Sequence, residues 1–307
     1  MQSLLTSSSV LSGLKTASLD DYADYASALE DSRPTGSSYY LPGLLAYQRP
    51  RKREILLAED EGSICIYRMQ SSQGAEHMDI YLAPTPMNTA VLRRCIERVN
   101  DFNQDRSARI LRIDEADAMK VSSAGFRVRK RREQYIFTPD KYSDLGGKEL
   151  YTVRRNVSRL KKVGDVRFEA YTPAYSEDCH ALLERWRVNH RERHGSAGGY
   201  GSSKRIIDLA GHLPNDALTG QVVFIDDNIV AFSFGGKIHS QLACSFERKC
   251  ETQISGLTYF QLHGFLLHLK DYKQVNDGSD AGRPGLKQLK SSFRPVKMHA
   301  EFRGYQK

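Results

Sequence analysis

The stretch QVVFIDDNIVAFSFGGKIHSQLACSFE (221–247) constrains the fold more than any other part of the chain. Val, Ile and Phe runs flank Asp226-Asp227-Asn228, residue types that tolerate left-handed backbone, so the segment predicts a tight hairpin. Gly235-Gly236 predicts a kink or bulge in the second arm. Ser240–Phe246 predicts a third strand, and a loop with the apolar helix GLTYFQLHGFLLHL (256–269) follows. The first half has the same layout. REILLAEDEGSICIYRM reads as strand, turn at Glu59–Gly62, strand, and HMDIYLAPTP as a strand stopped by Pro84 and Pro86. Val91, Leu92, Cys95, Ile96 and Val99 then repeat at helical spacing after a cap at Asn88 or Thr89.

Further elements fill the two halves. Leu19–Leu29 predicts an amphipathic helix, and Gly125 closes a helix between two strands. A basic helix ends before Gly164, and a strand, a helix carrying the sole tryptophan Trp186, a glycine-rich loop at 195–203 and another helix follow. Trp186 is expected in the core. The prediction is an α/β (α+β) fold with mostly antiparallel central sheets flanked by helices, divided into domains 1–134 and 135–307.

The chain of 307 residues carries a net charge of +8 and a sequence pI near 9.1. The positive charge is clustered in RPRKRE, RVRKRRE, RRNVSRLKK and ERWRVNHRERH, which favours a polyanionic partner over a neutral one. No apolar run approaches the length of a membrane helix, and the N-terminal stretch lacks a signal-peptide pattern. The expectation is a cytoplasmic protein without stable membrane insertion. Cys65, Cys95, Cys179, Cys244 and Cys250 form no CxxC pair, and the histidines show no zinc spacing. Neither metal nor disulfide is predicted.

A hairpin, a third strand, a loop and a helix N-terminus is the order in which acetyltransferase-type folds place their acyl-donor site. There a glycine-rich loop holds the pyrophosphate of coenzyme A. The corresponding QISGLT keeps Gln253 and Gly256, but Thr258 stands where a second small residue belongs. As a phosphate cradle it is degenerate. The stretch VNDGSDAGRPGLKQLKSSFRP (275–295) sets Asn276, Asp277, Asp280 and two lysines around three glycines. Such a turn serves either as a surface connection or as the floor of a site needing bare backbone and a carboxylate.

Two motifs more than 100 residues apart resemble the phosphatidylglycerol lysyltransferase C-terminal family. The first rests on Tyr135, Leu145, Gly147, Lys148, Arg155, Asn156 and Lys161. The second rests on Asn276, Asp280, Gly282, Gly285, Leu286, Lys290, Ser292, Phe293 and Pro295. With the hairpin between them they cover the last 170 or so residues of the chain; the first half matches only in layout. The resemblance implies a tandem acetyltransferase-like (double GNAT) fold that transfers an aminoacyl group from aminoacyl-tRNA. Such an ester is already activated, so no coenzyme A loop is needed. The reaction calls for cations facing phosphates, a carboxylate for the α-ammonium and N–H donors for the oxyanion.

Within that frame Asp280 binds the α-amino group or acts as base, and Asn276 orients the loop. His239 and Glu247 are alternative bases. Lys290 and Arg294 meet the donor's terminal phosphate or ribose, and Arg155, Lys161, Arg283 and Gly256 complete the substrate- and tRNA-binding set. The acceptor is expected to be a small soluble molecule of specialised-metabolite biosynthesis, with aminoacyl-tRNA as co-substrate and no cofactor. Two other readings stay open: an acyl-CoA-dependent N-acyltransferase using a coenzyme A thioester, and a non-catalytic double domain binding RNA or anionic lipid. Oligomeric state is not legible.

Overall fold

The computed structural model describes residues 10–195, 198–214 and 216–307. They fall into two compact units. Unit 1 is the chain to Glu133 together with His299–Lys307, and unit 2 is Gln134–Met298. The residues from His299 onward, expected in the second domain, therefore belong to the first. Their strand, Lys297–Gln306, pairs antiparallel with Arg109–Ile113 of unit 1 through Phe302↔Ile113 and Gly304↔Ile110.

Unit 1 begins with β1 (Lys15–Thr16), α1 (Tyr22–Ser32) and α2 (Leu41–Tyr47). Then β2 (Arg53–Asp60), β3 (Ser63–Ser72) and β4 (Ala75–Thr85) form an antiparallel meander, and α3 (Thr89–Asn103) crosses to β5 (Arg109–Ile113), which is parallel to β4. After α4 (Ala118–Ser123), β6 (Phe126–Phe137) leaves the unit at Glu133. The Asn88 side chain caps α3, accepting from the N–H of Ala90 at 2.9 Å and Val91 at 3.3 Å. Val91, Leu92, Cys95 and Val99 bury against Leu56, Tyr67, Met78, Ile80 and Ile110 in one core, as their spacing requires. The strand runs through Pro84 and ends at Thr85, directly before Pro86, the second of the two expected stops. Pro84 sits inside the register shift between Ile64 and Ile66, the kind of irregular position where a strand tolerates proline.

Unit 2 takes Gln134–Phe137 of β6 as one of its strands and adds α5 (Tyr151–Leu160), β7 (Val166–Ala170), α6 (Ser176–His194) and α7 (Tyr200–Leu209). The meander β8 (Thr219–Ile225), β9 (Asn228–His239) and β10 (Leu242–Cys250) follows. Helix α8 (Leu257–His268) then crosses to the parallel strand β11 (Gln274–Asn276), and α9 (Pro284–Ser292) comes last. The strand order is β6-β11-β10-β9-β8-β7. Ile225↔Asn228 closes the predicted hairpin around Asp226, whose φ is 54°. The predicted glycine-rich loop is shorter than expected, because Tyr200 already opens α7; Ser196 and Ala197 lie outside the described residues.

The core of unit 2 forms where α8 covers the sheet. Leu257, Leu262, Phe265 and Leu266 are buried, and the Phe260 ring stacks on Phe168 at 4.2 Å. Trp186 is not in this core. It is half-buried on α6, stacked on His190 at 4.5 Å, with the Lys249 ammonium 4.5 Å from its ring centroid. The five cysteines are buried free thiols. Among the described residues no helix is long and apolar enough to cross a membrane, and no group of three or more His, Cys, Asp or Glu side chains could hold a metal ion.

Gly235 lies opposite a register shift in β10, and a Cβ there would stand 2.1 Å from the Cys244 carbonyl oxygen. Gly235→Ala is therefore expected to cost about 1–3 kcal/mol through overpacking against backbone that cannot give way. Urea denaturation followed by circular dichroism should show a lower midpoint at unchanged slope.

Candidate active site

Strand β11 follows β10 through only three pairs, Leu242↔Gln274, Ala243↔Val275 and Cys244↔Asn276. Beyond them β10 continues to Cys250 along β9, whereas the chain after Asn276 stays with β6, which already pairs with β11 through Val275↔Phe137 and Asn276↔Ile136. The Asp277 N–H donates to the Tyr135 carbonyl and the Tyr135 N–H to the Gly278 carbonyl, both at 3.0 Å. Parallel strands that part leave a gap at their C-terminal ends, the place where α/β sheets present ligand sites. In this chain, charged side chains span the gap.

Arg248, on the diverging part of β10, clasps the Asp277 carboxylate with both terminal nitrogens, Nη2 to Oδ2 at 3.0 Å, and donates to the Ser245 hydroxyl at 2.8 Å. Lys290 reaches the same carboxylate from α9 at 3.1 Å. Its ammonium also donates to the backbone carbonyls of Asp277, of Gly278 at 3.3 Å and of Ser279 at 3.0 Å. The loop thus wraps its carbonyls around one cation. Asn276 secures the base of the loop, donating to the Gln134 side chain at 2.6 Å and accepting from the Gly278 N–H at 2.8 Å. The far end of α9 is docked by Phe137, Tyr142 and Phe293, in mutual edge contact at 5.6–6.3 Å, with the Tyr142 hydroxyl donating to the Phe293 carbonyl.

Burial pushes the Asp277 carboxyl up, but Arg248 and Lys290 outweigh it and hold the group below the usual carboxylate range. Burial drives the Lys290 ammonium below its ordinary value, against the pull of Asp277. Asp280 lies on the same loop and is half-buried. It accepts from the Tyr135 hydroxyl at 2.8 Å and the Gly282 N–H at 2.9 Å. The Gly282 N–H, with a smaller contribution from Tyr135, holds Asp280 below the ordinary carboxylate value despite opposing burial. Its two oxygens retain acceptor capacity beyond these bonds; Asp277, 4% exposed, is enclosed by its partners.

The structure brings Asn276, Asp280 and Lys290 together and separates the other candidates from them. Lys290 was expected to face a phosphate; it is 3% exposed, with its protons committed to the loop. Glu247 points to the opposite face of β10, paired with Lys249 beside Trp186, because neighbouring residues of a strand alternate sides. His239 is buried at the other end of β10, where Nδ1 accepts from the Gln241 N–H at 3.3 Å. Arg155 and Lys161 are exposed on and just past α5, and Arg283 and Arg294 are exposed at the two ends of α9. Gly256 is in contact with α5: a Cβ there would stand 2.4 Å from the Asn156 carbonyl oxygen, and Arg159 donates to Ser255 at 3.2 Å. The loop expected to resemble a coenzyme A cradle is packed against a helix.

Sequence reading missed Arg248, Ser245, Gln134 and the hydroxyl role of Tyr135. One signal for Arg248 was available, since Glu247-Arg248-Lys249 places three consecutive charges inside a strand.

The model of the phosphatidylglycerol lysyltransferase C-terminal family matches residues 44–305. The chain belongs to this family. Membership supports an aminoacyl-tRNA-dependent transferase. A crystal structure of a conserved protein of unknown function from Bacteroides thetaiotaomicron superposes with TM-score 0.76 at 21% identity, over 96% of this chain and 99% of that one. L-PGS from Bacillus licheniformis superposes at 0.66 with 13% identity, over 92% and 91%. A tandem GNAT protein from the clavulanic acid biosynthesis pathway superposes at 0.51 with 9% identity, over 95% and 98%. The fold is of the tandem GNAT type. No curated protein matches the sequence.

Asp277→Asn should cost about 3–5 kcal/mol, since it leaves two buried cations without their counter-charge. The folded-state value of Asp277 lies below its unfolded one. Its stabilisation is therefore present above the unfolded value, about pH 4, and is lost as pH falls through the folded value. Urea midpoints between pH 2 and 7 should fall more steeply for the wild type than for Asp277→Asn.

Proposed function

We propose that the chain moves an amino acid from aminoacyl-tRNA to an amine or hydroxyl of a small soluble acceptor, in the assembly of a specialised metabolite. The observation that carries this reading is the half-buried Asp280 carboxylate, held ionised by Tyr135 and Gly282 on the loop that leaves the strand fork. A carboxylate below the usual range is a weak base at neutral pH, so holding the donor's α-ammonium suits Asp280 better than proton abstraction. Asp277, Arg248 and Lys290 fix the loop that carries it and act as positioning residues. The acceptor's amine or hydroxyl adds to the ester carbonyl, the ester C–O bond then breaks, and the proton lost by the nucleophile passes to the departing ribose oxygen of the tRNA. Exposed Arg155, Lys161, Arg283 and Arg294 supply cations for tRNA phosphates. The close packing of Gly256 on α5 favours an activated ester over a coenzyme A thioester.

Incubation with radiolabelled aminoacyl-tRNAs and cell extract should move label into small products. Loss of one charge-assisted contact in Asp280→Asn should lower kcat/KM about 10–100-fold, with the tRNA Kd within about twofold. Unchanged turnover would remove Asp280 from the mechanism, and label transfer from acyl-CoA with no use of any charged tRNA would overturn the reading.

Arg155→Gln and Lys161→Gln should each reduce the slope of log K against log salt by about 1. Filter binding across a salt series checks this. A slope that both substitutions leave unchanged would take α5 out of the tRNA surface.

A further inference from the structure

A second charged cluster lies wholly in unit 1. Glu301, on the C-terminal strand and 2% exposed, receives three arginines from neighbouring strands. Arg132 of β6 reaches it with Nε at 2.7 Å and Nη2 at 3.0 Å, Arg131 of β6 at 2.7 Å, and Arg112 of β5 at 3.5 Å. The Ser38 hydroxyl donates to the same carboxylate at 2.5 Å. The arginine side chains are 13% (Arg112), 28% (Arg131) and 32% (Arg132) exposed. Among the described residues no second carboxylate pairs with any of the three. The Arg112 guanidinium also lies 5.6 Å from the Tyr81 ring centroid, and Nη1 donates to the Leu111 carbonyl at 2.8 Å.

Three guanidinium groups around one carboxylate leave two positive charges in excess, each partly removed from water. Burial, reinforced by repulsion from Arg112 and Arg132, drives Arg131 below its ordinary value. Cations gathered this way are costly unless an anion completes them. Planar guanidinium forks match the oxygens of a tetrahedral oxyanion, singly or in pairs.

We propose that Arg112, Arg131, Arg132 and Ser38 form a binding site for a phosphoryl dianion, presented by a soluble phosphate ester or by a phosphomonoester lipid headgroup. Glu301 holds the arginines in place when the site is empty. The two excess charges match the charge of a phosphomonoester, and Ser38, half-buried at the cluster, accepts from Arg132 and can turn the proton it gives Glu301 toward the anion. The proposal stands independently of aminoacyl transfer, because every residue in it lies outside the candidate active site.

Calorimetric titration of the full chain with inorganic phosphate and sn-glycerol 3-phosphate, beside co-sedimentation with phosphatidylcholine vesicles containing phosphatidic acid, tests it. Saturable binding of the soluble anions supports a soluble ester; binding to the vesicles alone supports the lipid headgroup. In either arm Arg131→Gln and Arg132→Gln should each weaken the Kd about tenfold, and Arg131→Lys should lie between. No binding in both arms, or binding unchanged by both Gln variants, overturns the proposal. Glu301→Gln guards against a folding artefact. Phosphate should raise its thermal midpoint more than that of the wild type, and a network with only a structural role would show no such difference.

Discussion

Two parallel strands that part after three paired residues create a hole in the middle of a sheet, and unit 2 is organised around filling it. The pairing with β10 ends at Asn276, while the ladder on the other edge runs on through the bonds that tie Asp277 and Gly278 to Tyr135. The gap is filled by an ionised carboxylate clasped by Arg248 and Lys290. Removing one partner of such a buried group is far more damaging than never having buried it. The surrounding features serve this arrangement. The aromatic trio aims α9, Asn276 ties the loop to β6, and the loop carbonyls turn inward to Lys290.

That inward turn explains a division of labour between two carboxylates three residues apart. Asp277 spends its acceptor capacity on protein cations and is sealed from solvent. Asp280, beyond Gly278, makes two bonds and keeps acceptor capacity for an outside donor. The two alternative bases lie elsewhere: Glu247 with Lys249 against α6, and His239 at the opposite end of β10.

Much of this was legible in the residues. The meander, the crossing helices and the Asn88 cap follow from periodicity and turn chemistry, which are local. The distal loop drew attention because glycines, amides and acids were crowded into it, and the structure does gather Asn276, Asp280 and Lys290 there. What escaped was non-local. Which of Asp277 and Asp280 is enclosed depends on where β11 leaves β10, and no spacing rule encodes that point. Lys290 reads as a cation for the donor's phosphate until the loop carbonyls that surround it are placed. The C-terminal strand looked like part of the second half because it follows it in sequence, but its partner is β5. Gly256 shows the reverse error: a residue suited to cradling phosphate is explained by the backbone of α5 behind it.

Trp186 carries one more consequence. It is the chain's sole tryptophan, and it belongs to unit 2, where the Lys249 ammonium rests over its indole. Intrinsic tryptophan emission therefore reports from unit 2. A melting curve recorded by that fluorescence follows the half with the forked strands, and structure around Glu301 has to be followed by circular dichroism instead.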